Sequence, residues 1–504
     1  MASLWHAARV APALAALVLA ATSCGGSATP PASSGANTLS LKACTVDGMA
    51  ARCGTLTVPE DRLTGQGRTI GVRVVMFPAT GRDSAPDPVV YFAGGPGGST
   101  VDLIPSEMPD LVSLNAQRDL VFIEQRGTGK ANPLTCPAFT AALADKAALR
   151  ASVESCLAHL NGDLRFYTTA MYADDVAQVL TDLHYAKANL MGISYGVSVE
   201  QVFALRHPGM VRTMTFQSGT PLNVPIFERQ PTSTQAALDY VFARCDSQPA
   251  CHRAFPHLAA DWTALWSSLG AAPWTVPAAQ SPSKTAMRMD QGDLQNAIYQ
   301  LLYTGNEAPI PLLVHFLGTA RNKAAAMIAV ASAAQQAGLA PTAGGGPETM
   351  LLYETECAEP WASERPAALT GRGKSFAYQL DYEGAQWFSY VCSLIPRSAA
   401  AVGSQRLTAS AIPVLAFNGA GDPLDPPGNM AGARTIWPDS RDITLPGQGH
   451  DVNSFSWEQC AGTLTGTFIA QASVANLNTS CLASVSVLLP AFDLSLHDVA
   501  FGGA

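Results

Sequence analysis

Asn189-Leu190-Met191-Gly192-Ile193-Ser194-Tyr195-Gly196-Val197 is a short, mainly apolar segment that runs into a Gly-x-Ser-x-Gly motif. A run with helical character follows, from Val197 to His207. A serine at a sharp strand-to-helix turn has strained backbone, and glycines two residues before and after it let neighbouring chain pass close by. Its hydroxyl then points out of the sheet at a helix N-terminus, whose free N–H groups favour developing negative charge. The motif therefore predicts that Ser194 is a nucleophile.

Length and composition limit the number of domains, the size of the core and the class of partner. A chain of 504 residues is long enough for two domains, or for one large domain with an insertion. Charged residues make up 14% of it and hydrophobic residues 48%, so the chain can bury a sizeable core. Its net charge is −9 and it contains no basic run, which argues against nucleic acid as a partner.

Residues 1–23 have the pattern of an export signal. Arg9 is the only charged residue before an apolar run, Val10 to Ala21, that is too short to span a bilayer as a mature helix. Small residues then precede Cys24, and the segment resembles a bacterial lipoprotein signal in which that cysteine becomes the lipidated first residue. Ala21 stands where such signals usually have Leu, so plain signal cleavage and secretion stay open.

The predicted location follows from this signal. Residues 24–40 are predicted to be a flexible tether, because they are rich in Gly, Ser, Pro and Ala and have no packable content. We expect an exported protein, either a cell-envelope lipoprotein on the outer face of the cytoplasmic membrane or a secreted one. Its membrane contact would be only the lipid anchor at Cys24.

Eleven cysteines in an exported protein suggest disulfides. Apart from Cys24 they fall into close sequential pairs, and we use this order as a pairing hypothesis, since sequence alone does not fix connectivity. The pairs are Cys44 with Cys53, Cys136 with Cys156, Cys245 with Cys251, Cys357 with Cys392, and Cys460 with Cys481. No CxxC motif or His/Cys cluster supports a metal site.

Strand and helix patterns alternate through the first half of the chain. Strands are predicted at Thr69–Phe77, at 88–93, at 118–123 and at 211–216, and a helix at 172–183 with the acidic pair Asp174-Asp175 near its start. This alternation indicates a parallel sheet covered by helices on both faces. It stops after Gly219 and returns with strands at 412–417 and 442–445. We therefore predict a core at 41–221 and 406–504, interrupted by a mainly helical cap at 222–405.

Loops after the predicted strands hold the remaining candidates. Gly94 to Ser99 is dense in glycine, which lets backbone N–H groups approach a substrate oxygen as an oxyanion hole requires. The same glycines are also typical of an ordinary tight turn. Asp422 follows the strand at 412–417, and His450 follows the last strand in a Gly-flanked loop. Asp425 competes with Asp422 for the acid role, and Asp422 is preferred because it lies closer to its strand.

Ser194, Asp422 and His450 occur in the order that α/β-hydrolases use. A neutral imidazole can take the proton of the serine hydroxyl, and a buried carboxylate fixes the tautomer and stabilises the imidazolium. Other histidines fit this role less well. His207 is interpreted as a surface residue at a helix end, and His315, in an apolar run, as a core histidine with its hydrogen bonds satisfied.

Five motifs together resemble those of the tripeptidyl aminopeptidase-like, proline iminopeptidase-related serine peptidases of the α/β-hydrolase superfamily. They are Gly94-Gly95-Pro96-Gly97, Gln125-Arg126-Gly127-Thr128-Gly129, Gly192-Ile193-Ser194-Tyr195-Gly196, Asp422-Pro423-Leu424 and Gly447-Gln448-Gly449-His450. The resemblance spans about Cys44 to Cys481 and implies an α/β-hydrolase fold. It departs from the family pattern at Glu124, where Asp is usual, and at Asp425, where Thr is usual.

The resemblance also implies roles. Ser194 would be the nucleophile, His450 the general base and then acid, and Asp422 the orienting carboxylate. Backbone N–H groups of Gly95 and Tyr195 would form the oxyanion hole.

Cap carboxylates of such aminopeptidases hold the free amino terminus of the substrate. Glu359 is the first candidate for this role and Glu356 the second, with solvated acids beside a cap disulfide as the alternative. The implied function is an exported serine exopeptidase that hydrolyses short peptides or single residues from free peptide N-termini, without a cofactor. A carboxylesterase or lipase-like hydrolase with the same triad is the first alternative. A catalytically silent module that binds cell-envelope ligands is the second.

Overall fold

The structure is a computed structural model that describes residues 38–135, 145–280, 286–319, 348–359, 365–398, 407–452, 460–487 and 491–495. Its strands are β1 (Lys42–Val46), β2 (Met49–Pro59), β3 (Thr69–Phe77), β4 (Val89–Phe92), β5 (Leu120–Ile123), β6 (Ala188–Ile193), β7 (Val211–Gln217), β8 (Trp274–Val276), β9 (Met287–Met289), β10 (Val414–Gly419) and β11 (Ser440–Leu445). Its α-helices are α1 (Ile104–Asn115), α2 (Lys146–His159), α3 (Thr169–Asp182), α4 (Tyr195–Arg206), α5 (Ile226–Ser247), α6 (Pro249–Ala254), α7 (Leu258–Ala271), α8 (Gln291–Tyr303), α9 (Ile310–Gly318), α10 (Glu348–Ala358), α11 (Tyr378–Cys392), α12 (Gly462–Gln471) and α13 (Leu482–Val487).

Nine of these strands form one sheet in the order β1-β2-β3-β5-β4-β6-β7-β10-β11. The pairs β1–β2, β2–β3 and β3–β5 are antiparallel, and the strands from β5 to β11 pair in parallel. The mostly parallel sheet is confirmed. Its antiparallel edge begins at Lys42, earlier than the sequence pattern indicates. Since parallel strands share one carboxyl edge, the loops after β4, β6, β10 and β11 all open there.

Side chains of the central strands alternate between two apolar clusters. Val74 of β3 and Phe92 of β4 belong to the cluster that also includes buried side chains of α3 and α4. Val75 and Tyr91, the next positions on the same strands, belong to the cluster that includes α1 and α12. Successive side chains of a strand point to opposite faces, so both faces of the sheet are covered by helices.

The segment between β7 and β10 is mainly helical, and it also contains a two-stranded hairpin, β8–β9, that the sequence pattern does not reveal. Helices α5 to α9 share an apolar cluster of their own, into which Phe492 from near the chain end is inserted. Helices α10 and α11 instead pack into the cluster on the first face of the sheet. The predicted boundaries at 221 and 405 stay predictions.

Asp174 and Asp175 do not act at the start of a helix. Helix α3 begins at Thr169, and both acids lie in its second turn. The carboxylate of Asp175 accepts hydrogen bonds of 2.7 and 2.8 Å from Arg126, and both side chains are fully buried. Asp174 pairs with Arg206 and His207 at the end of α4. The acidic pair therefore fastens α3 to its neighbours, because its partners come from other elements.

Four disulfides join the pairs that the cysteine order predicts: Cys44–Cys53, Cys245–Cys251, Cys357–Cys392 and Cys460–Cys481. Cys156 is also disulfide-bonded, and its predicted partner Cys136 lies outside the described residues. The signal segment, the tether and Cys24 lie outside them as well. Disulfides persist in oxidising compartments, which indicates an extracytoplasmic protein.

Within the described ranges, none of the helices has the length and apolarity needed to cross a membrane.

Candidate active site

Ser194 lies between β6 and α4 with φ at 55° and ψ at −121°. Its N–H donates to the carbonyl of Gln217 on β7, 2.9 Å away. The flanking glycines are required by contact: a Cβ at Gly192 would lie 2.5 Å from the backbone of Gly196, and one at Gly196 would lie 2.4 Å from the carbonyl oxygen of Phe92. The sequence thus places a strained serine at the head of a helix, as the Gly-x-Ser-x-Gly pattern predicts.

The glycine-rich loop after β4 lies beside this serine. Gly95 has φ at 124°, and it lines the same cavity as Ser194 and Tyr195. The loop is held by the residues after β5: the N–H of Gly97 donates to Gln125 Oε1 at 3.1 Å, and Gln125 Nε2 donates to the Tyr195 hydroxyl at 3.3 Å. Gly95 and Tyr195 thus lie beside Ser194 in one cavity, and their role as an oxyanion hole stays a prediction.

Glu124 supports the same loop. Its buried carboxylate accepts hydrogen bonds from the hydroxyls of Ser99 and Thr128 and from the N–H of Val101. Gly129 is required beside it, because a Cβ there would lie 1.8 Å from Glu124 Oε2. An acid at this position thus links the turn after β5 to the glycine-rich loop.

Asp422 and His450 come together at the ends of the adjacent strands β10 and β11. Asp422 Oδ2 and His450 Nδ1 lie 3.0 Å apart, and both side chains are almost completely buried. The other oxygen of Asp422 accepts the N–H groups of Leu424 and Asp425. Asp422 is thus fixed by its own loop in the position of an orienting carboxylate.

The helical insertion holds the loop of His450. The carbonyl of Tyr303, at the end of α8, accepts hydrogen bonds from the N–H groups of His450 and Asp451 at 2.7 and 3.1 Å. The Tyr303 ring stacks on the imidazole with a centroid distance of 4.4 Å. Tyr240 of α5 accepts the N–H of Gly447 at 2.8 Å. Sequence reasoning missed these contacts, because no local pattern reports a tyrosine 147 positions away in the chain.

Burial and charge act in opposite directions on His450. Burial alone would lower the pKa of the imidazole, but the charge and hydrogen bond of Asp422, with the charges of Asp425 and Asp451, raise this pKa to about 9. Burial raises the pKa of the Asp425 carboxyl to about 7 against the opposing effect of His450. The neighbouring carboxylates therefore favour the protonated imidazole in the ligand-free protein.

A cavity of about 280 Å³ lies over Ser194. Core and insertion share its walls. The lining includes three carboxylates, Glu356, Glu359 and Asp425, and no lysine, arginine or histidine among the described residues. His450 does not line it, and its Nε2 atom has no hydrogen-bond partner in the described part of the chain. The structure thus joins His450 to Asp422 but does not join Ser194 to His450; such contacts often close only when substrate is bound.

The two candidate glutamates lie at the end of α10 and just beyond it. Glu359 accepts hydrogen bonds from the N–H and the hydroxyl of Thr169 at 2.7 and 2.6 Å. The Thr169 hydroxyl in turn accepts from the Tyr195 hydroxyl at 2.7 Å. Glu359 is therefore connected to the residue after the serine, while Glu356 lies on the same cavity wall. Both side chains are buried, so neither is a solvated surface acid.

The other histidines examined in the sequence have structural partners. His207 Nε2 lies 2.9 Å from Asp174, and His315 Nδ1 lies 2.8 Å from Asp261. Within the described residues, no group of three or more His, Cys, Asp or Glu side chains could hold a metal ion.

A serine elbow on a parallel sheet, a glycine loop beside it, and a buried Asp–His pair at the same edge define an enzyme of the α/β-hydrolase class. Two family models match the chain. The model described as alpha/beta hydrolase fold matches residues 87–304, and the one described as TAP-like protein matches residues 381–481. The chain thus has the α/β-hydrolase fold, and its later part is similar to the TAP-like proteins.

Relatives with named activities match part of the chain. A tripeptidyl aminopeptidase of Streptomyces coelicolor is 28% identical over 187 residues, which are 33% of this chain and 35% of that protein. A serine protease of Mycobacterium tuberculosis is 26% identical over 227 residues, 40% of this chain and 42% of that protein. The chain thus spans about a third to two fifths of the length of these relatives.

Solved structures with a similar chain path include two hydrolases. A proline iminopeptidase of Mycobacterium smegmatis has a TM-score of 0.37 at 14% identity, with 84% of this chain and 99% of that chain covered. A thermophilic esterase of Thermogutta terrifontis has a TM-score of 0.34 at 12% identity, with 83% and 99% covered.

We predict that Gly196→Ala destabilises the protein by about 1–3 kcal/mol, because the added methyl group overlaps the Phe92 carbonyl and must displace β4 or α4. Equilibrium unfolding in urea measures this change. Gly209→Ala is the matched control, since a Cβ there meets nothing within 4 Å and its stability should be unchanged. Equal stability of both variants would mean that the elbow is not tightly packed.

Proposed function

We propose that this protein is an exported serine exopeptidase that removes short peptides or single residues from the free N-terminus of peptides. One observation carries the proposal: Ser194 and the buried carboxylates Glu356 and Glu359 line one cavity that has no basic side chain among its described lining residues. Such a cavity favours a substrate that presents an ammonium group near the bond to be cut. The relatives named as tripeptidyl aminopeptidase and serine protease agree with this choice.

The proposed reaction proceeds through an acyl-enzyme. The Ser194 hydroxyl attacks the substrate carbonyl while His450 Nε2 takes its proton, and Asp422 holds the imidazole by Nδ1. Backbone N–H groups of Gly95 and Tyr195 stabilise the oxyanion. His450 then protonates the leaving amine, and water attacks the acyl-enzyme with the same histidine as base. These steps need no cofactor.

Only a neutral His450 can accept the proton of the Ser194 hydroxyl, so the reaction rate should depend on pH. Because the pKa of His450 is raised to about 9, the base-competent form increases as pH rises through the alkaline range. We therefore expect kcat/KM for a p-nitrophenyl ester, which has no amino group to titrate, to rise with pH above neutrality.

An esterase remains the second candidate. Much of the cavity wall is apolar, which would also suit an acyl chain; its aliphatic and phenylalanine members are Pro221, Leu222, Val224, Ile226, Phe227, Leu352, Phe388 and Leu424. High turnover of p-nitrophenyl esters without cleavage of free peptide amides would favour it.

We predict that the purified mature protein releases the fluorophore from a tripeptidyl amide with a free N-terminus and not from its N-acetylated form. Ser194→Ala should lower kcat by more than about 10⁴-fold, since the nucleophile is lost. Fluorescence release with both substrates measures this. Release from the acetylated form at an equal rate would contradict an exopeptidase.

We predict that Glu356→Gln and Glu359→Gln raise KM for the free-N-terminal substrate about tenfold, because each removes one charged partner of the ammonium group. Turnover of a p-nitrophenyl ester should change less than that of the peptide, because an ester without an amino group does not use this contact. Glu354→Gln is the matched control on the same helix: its carboxyl is fully buried, and burial together with the charge of Glu359 raises its pKa to about 9, so it is already neutral. Unchanged KM in both glutamate variants would remove these residues from the amino-terminal site.

We propose further that the protein is exported through residues 1–23 and anchored by a lipid on Cys24. The disulfides support an oxidising compartment. Metabolic labelling with an alkyne fatty acid in a lipoprotein-processing bacterium should mark the wild-type protein and not Cys24→Ala. Unlabelled wild-type protein in the medium would mean plain secretion.

A further inference from the structure

Asp425 has two neighbours that bear on the reaction. Its side chain lines the cavity together with Ser194. Its Oδ2 atom lies 3.8 Å from His450 Nδ1, the ring nitrogen that faces Asp422. The side chain is buried, with 5% of its residue surface exposed. A second carboxylate therefore borders both the substrate cavity and the imidazole.

The position of this carboxylate is fixed by hydrogen bonds from the loop after β7 and from β10. Asp425 Oδ1 accepts a hydrogen bond from the Thr220 hydroxyl, which follows β7. Asn429 Nδ2 donates to the same hydroxyl oxygen at 3.1 Å, so the hydroxyl proton is directed at Asp425. Asn418 Nδ2 donates to the backbone carbonyl of Asp425 at 2.9 Å. Because Thr220 bonds to the carboxylate and Asn418 to the backbone, Asp425 keeps its distance from the imidazole.

Asp425 is not the orienting acid. Asp422 is closer to His450 Nδ1, at 3.0 Å, and its second oxygen accepts the N–H of Asp425 itself. The two acids therefore act differently on one imidazole. Asp422 fixes its tautomer through a hydrogen bond, and Asp425 acts on its charge through space.

The groups around the imidazole come from three elements. Asp422 and Asp425 face it from the loop after β10, and Asp451 is its neighbour in the loop after β11. Tyr303 of α8 stacks on it, and burial raises the pKa of this phenol and that of Tyr299 beyond it, so both stay neutral. Glu307, beyond these, is neutralised by a 2.6 Å ion pair with Arg244. The neighbouring charges that act most strongly on the imidazole are thus negative.

We propose that Asp425 is a positioning residue that acts through His450: its carboxylate stabilises the imidazolium beside Asp422 and so raises the pH at which the imidazole becomes a competent base. This inference rests on the proposed hydrolase function of the same site. A negative charge within 4 Å favours the protonated ring, and removing that charge must shift the ring toward its neutral form. The direction agrees with the pKa of about 9 that the surrounding carboxylates give His450.

The charge of Asp425 lowers the fraction of neutral His450, but it raises the rate at which that neutral form reacts. The imidazole becomes an imidazolium during attack by Ser194, and Asp425 stabilises that ion as well. Without the carboxylate the imidazole is a weaker base, so the variant should be active at lower pH but reach a somewhat lower alkaline plateau. This combination separates a charge effect from general damage, which would lower the rate at every pH.

Asp425→Asn tests the proposal, because the amide keeps the shape and an oxygen for the Thr220 hydroxyl. We expect the ascending limb of kcat/KM for a p-nitrophenyl ester to move to lower pH by about one unit. Asp381→Asn is the control: Asp381 is also a largely buried acid, with a pKa raised to about 6 by burial, but it lies on α11 and bonds to Gln295. Its pH profile should match the wild type.

A measurement without turnover keeps this test separate from the proposed function. NMR titration of labelled histidine, with His450→Gln to assign the signal, should give a lower pKa for His450 in Asp425→Asn than in the wild type. If esters and peptides are not cleaved at all, the proposed function fails while the titration still decides the role of Asp425. An unchanged limb and an unchanged titration in Asp425→Asn would overturn the inference.

Thr220→Val covers the case in which Asp425→Asn does not fold. It leaves the carboxylate in place but removes the hydroxyl that stabilises its charged form. The pKa of Asp425 should rise and that of His450 should fall, which moves the limb in the same direction by a smaller amount. A limb that stays in place or moves to higher pH would contradict the proposal.

Discussion

The strained backbone of Ser194 is the constraint on which the rest of the site depends. A non-glycine residue at φ 55° costs about 1–3 kcal/mol, so the surrounding structure must hold it there. It does so by pairing the Ser194 N–H with β7 and by packing Gly196 against the carbonyl of Phe92. Because the strand, the elbow and helix α4 are joined in this way, the hydroxyl is presented at the carboxyl edge of the sheet and nowhere else.

The helical insertion contributes to the site on both sides. One part, around α8, holds the loop of His450 through the Tyr303 carbonyl and ring. The other part, around α10, brings Glu356 and Glu359 to the cavity wall, and Glu359 is linked through Thr169 to Tyr195. The segment that would recognise the substrate therefore also supports the proposed base. Changes in this insertion can affect the chemical step as well as binding, since the two functions share one set of helices.

Local patterns predicted the fold and the position of the serine, because each depends on neighbours in the chain. Strand β3 has the predicted bounds, and the alternation of strand and helix gave the parallel sheet. Contacts between distant segments could not be predicted from local sequence patterns. The salt bridge of Asp175 with Arg126, the stacking of Tyr303 on His450 and the 3.8 Å approach of Asp425 all join residues far apart in the chain. A short hairpin, β8–β9, was missed because three-residue strands carry too little pattern.

The proposed chemistry depends on Ser194 being an activated nucleophile at this sheet edge. Its most direct test is to react the folded protein with a fluorophosphonate and to map the modified residue by mass spectrometry, in the wild type and in His450→Gln. We expect one modified residue, Ser194, and labelling that is much slower in the variant. Absence of labelling in folded wild-type protein, or labelling at another residue that does not depend on His450, would contradict it.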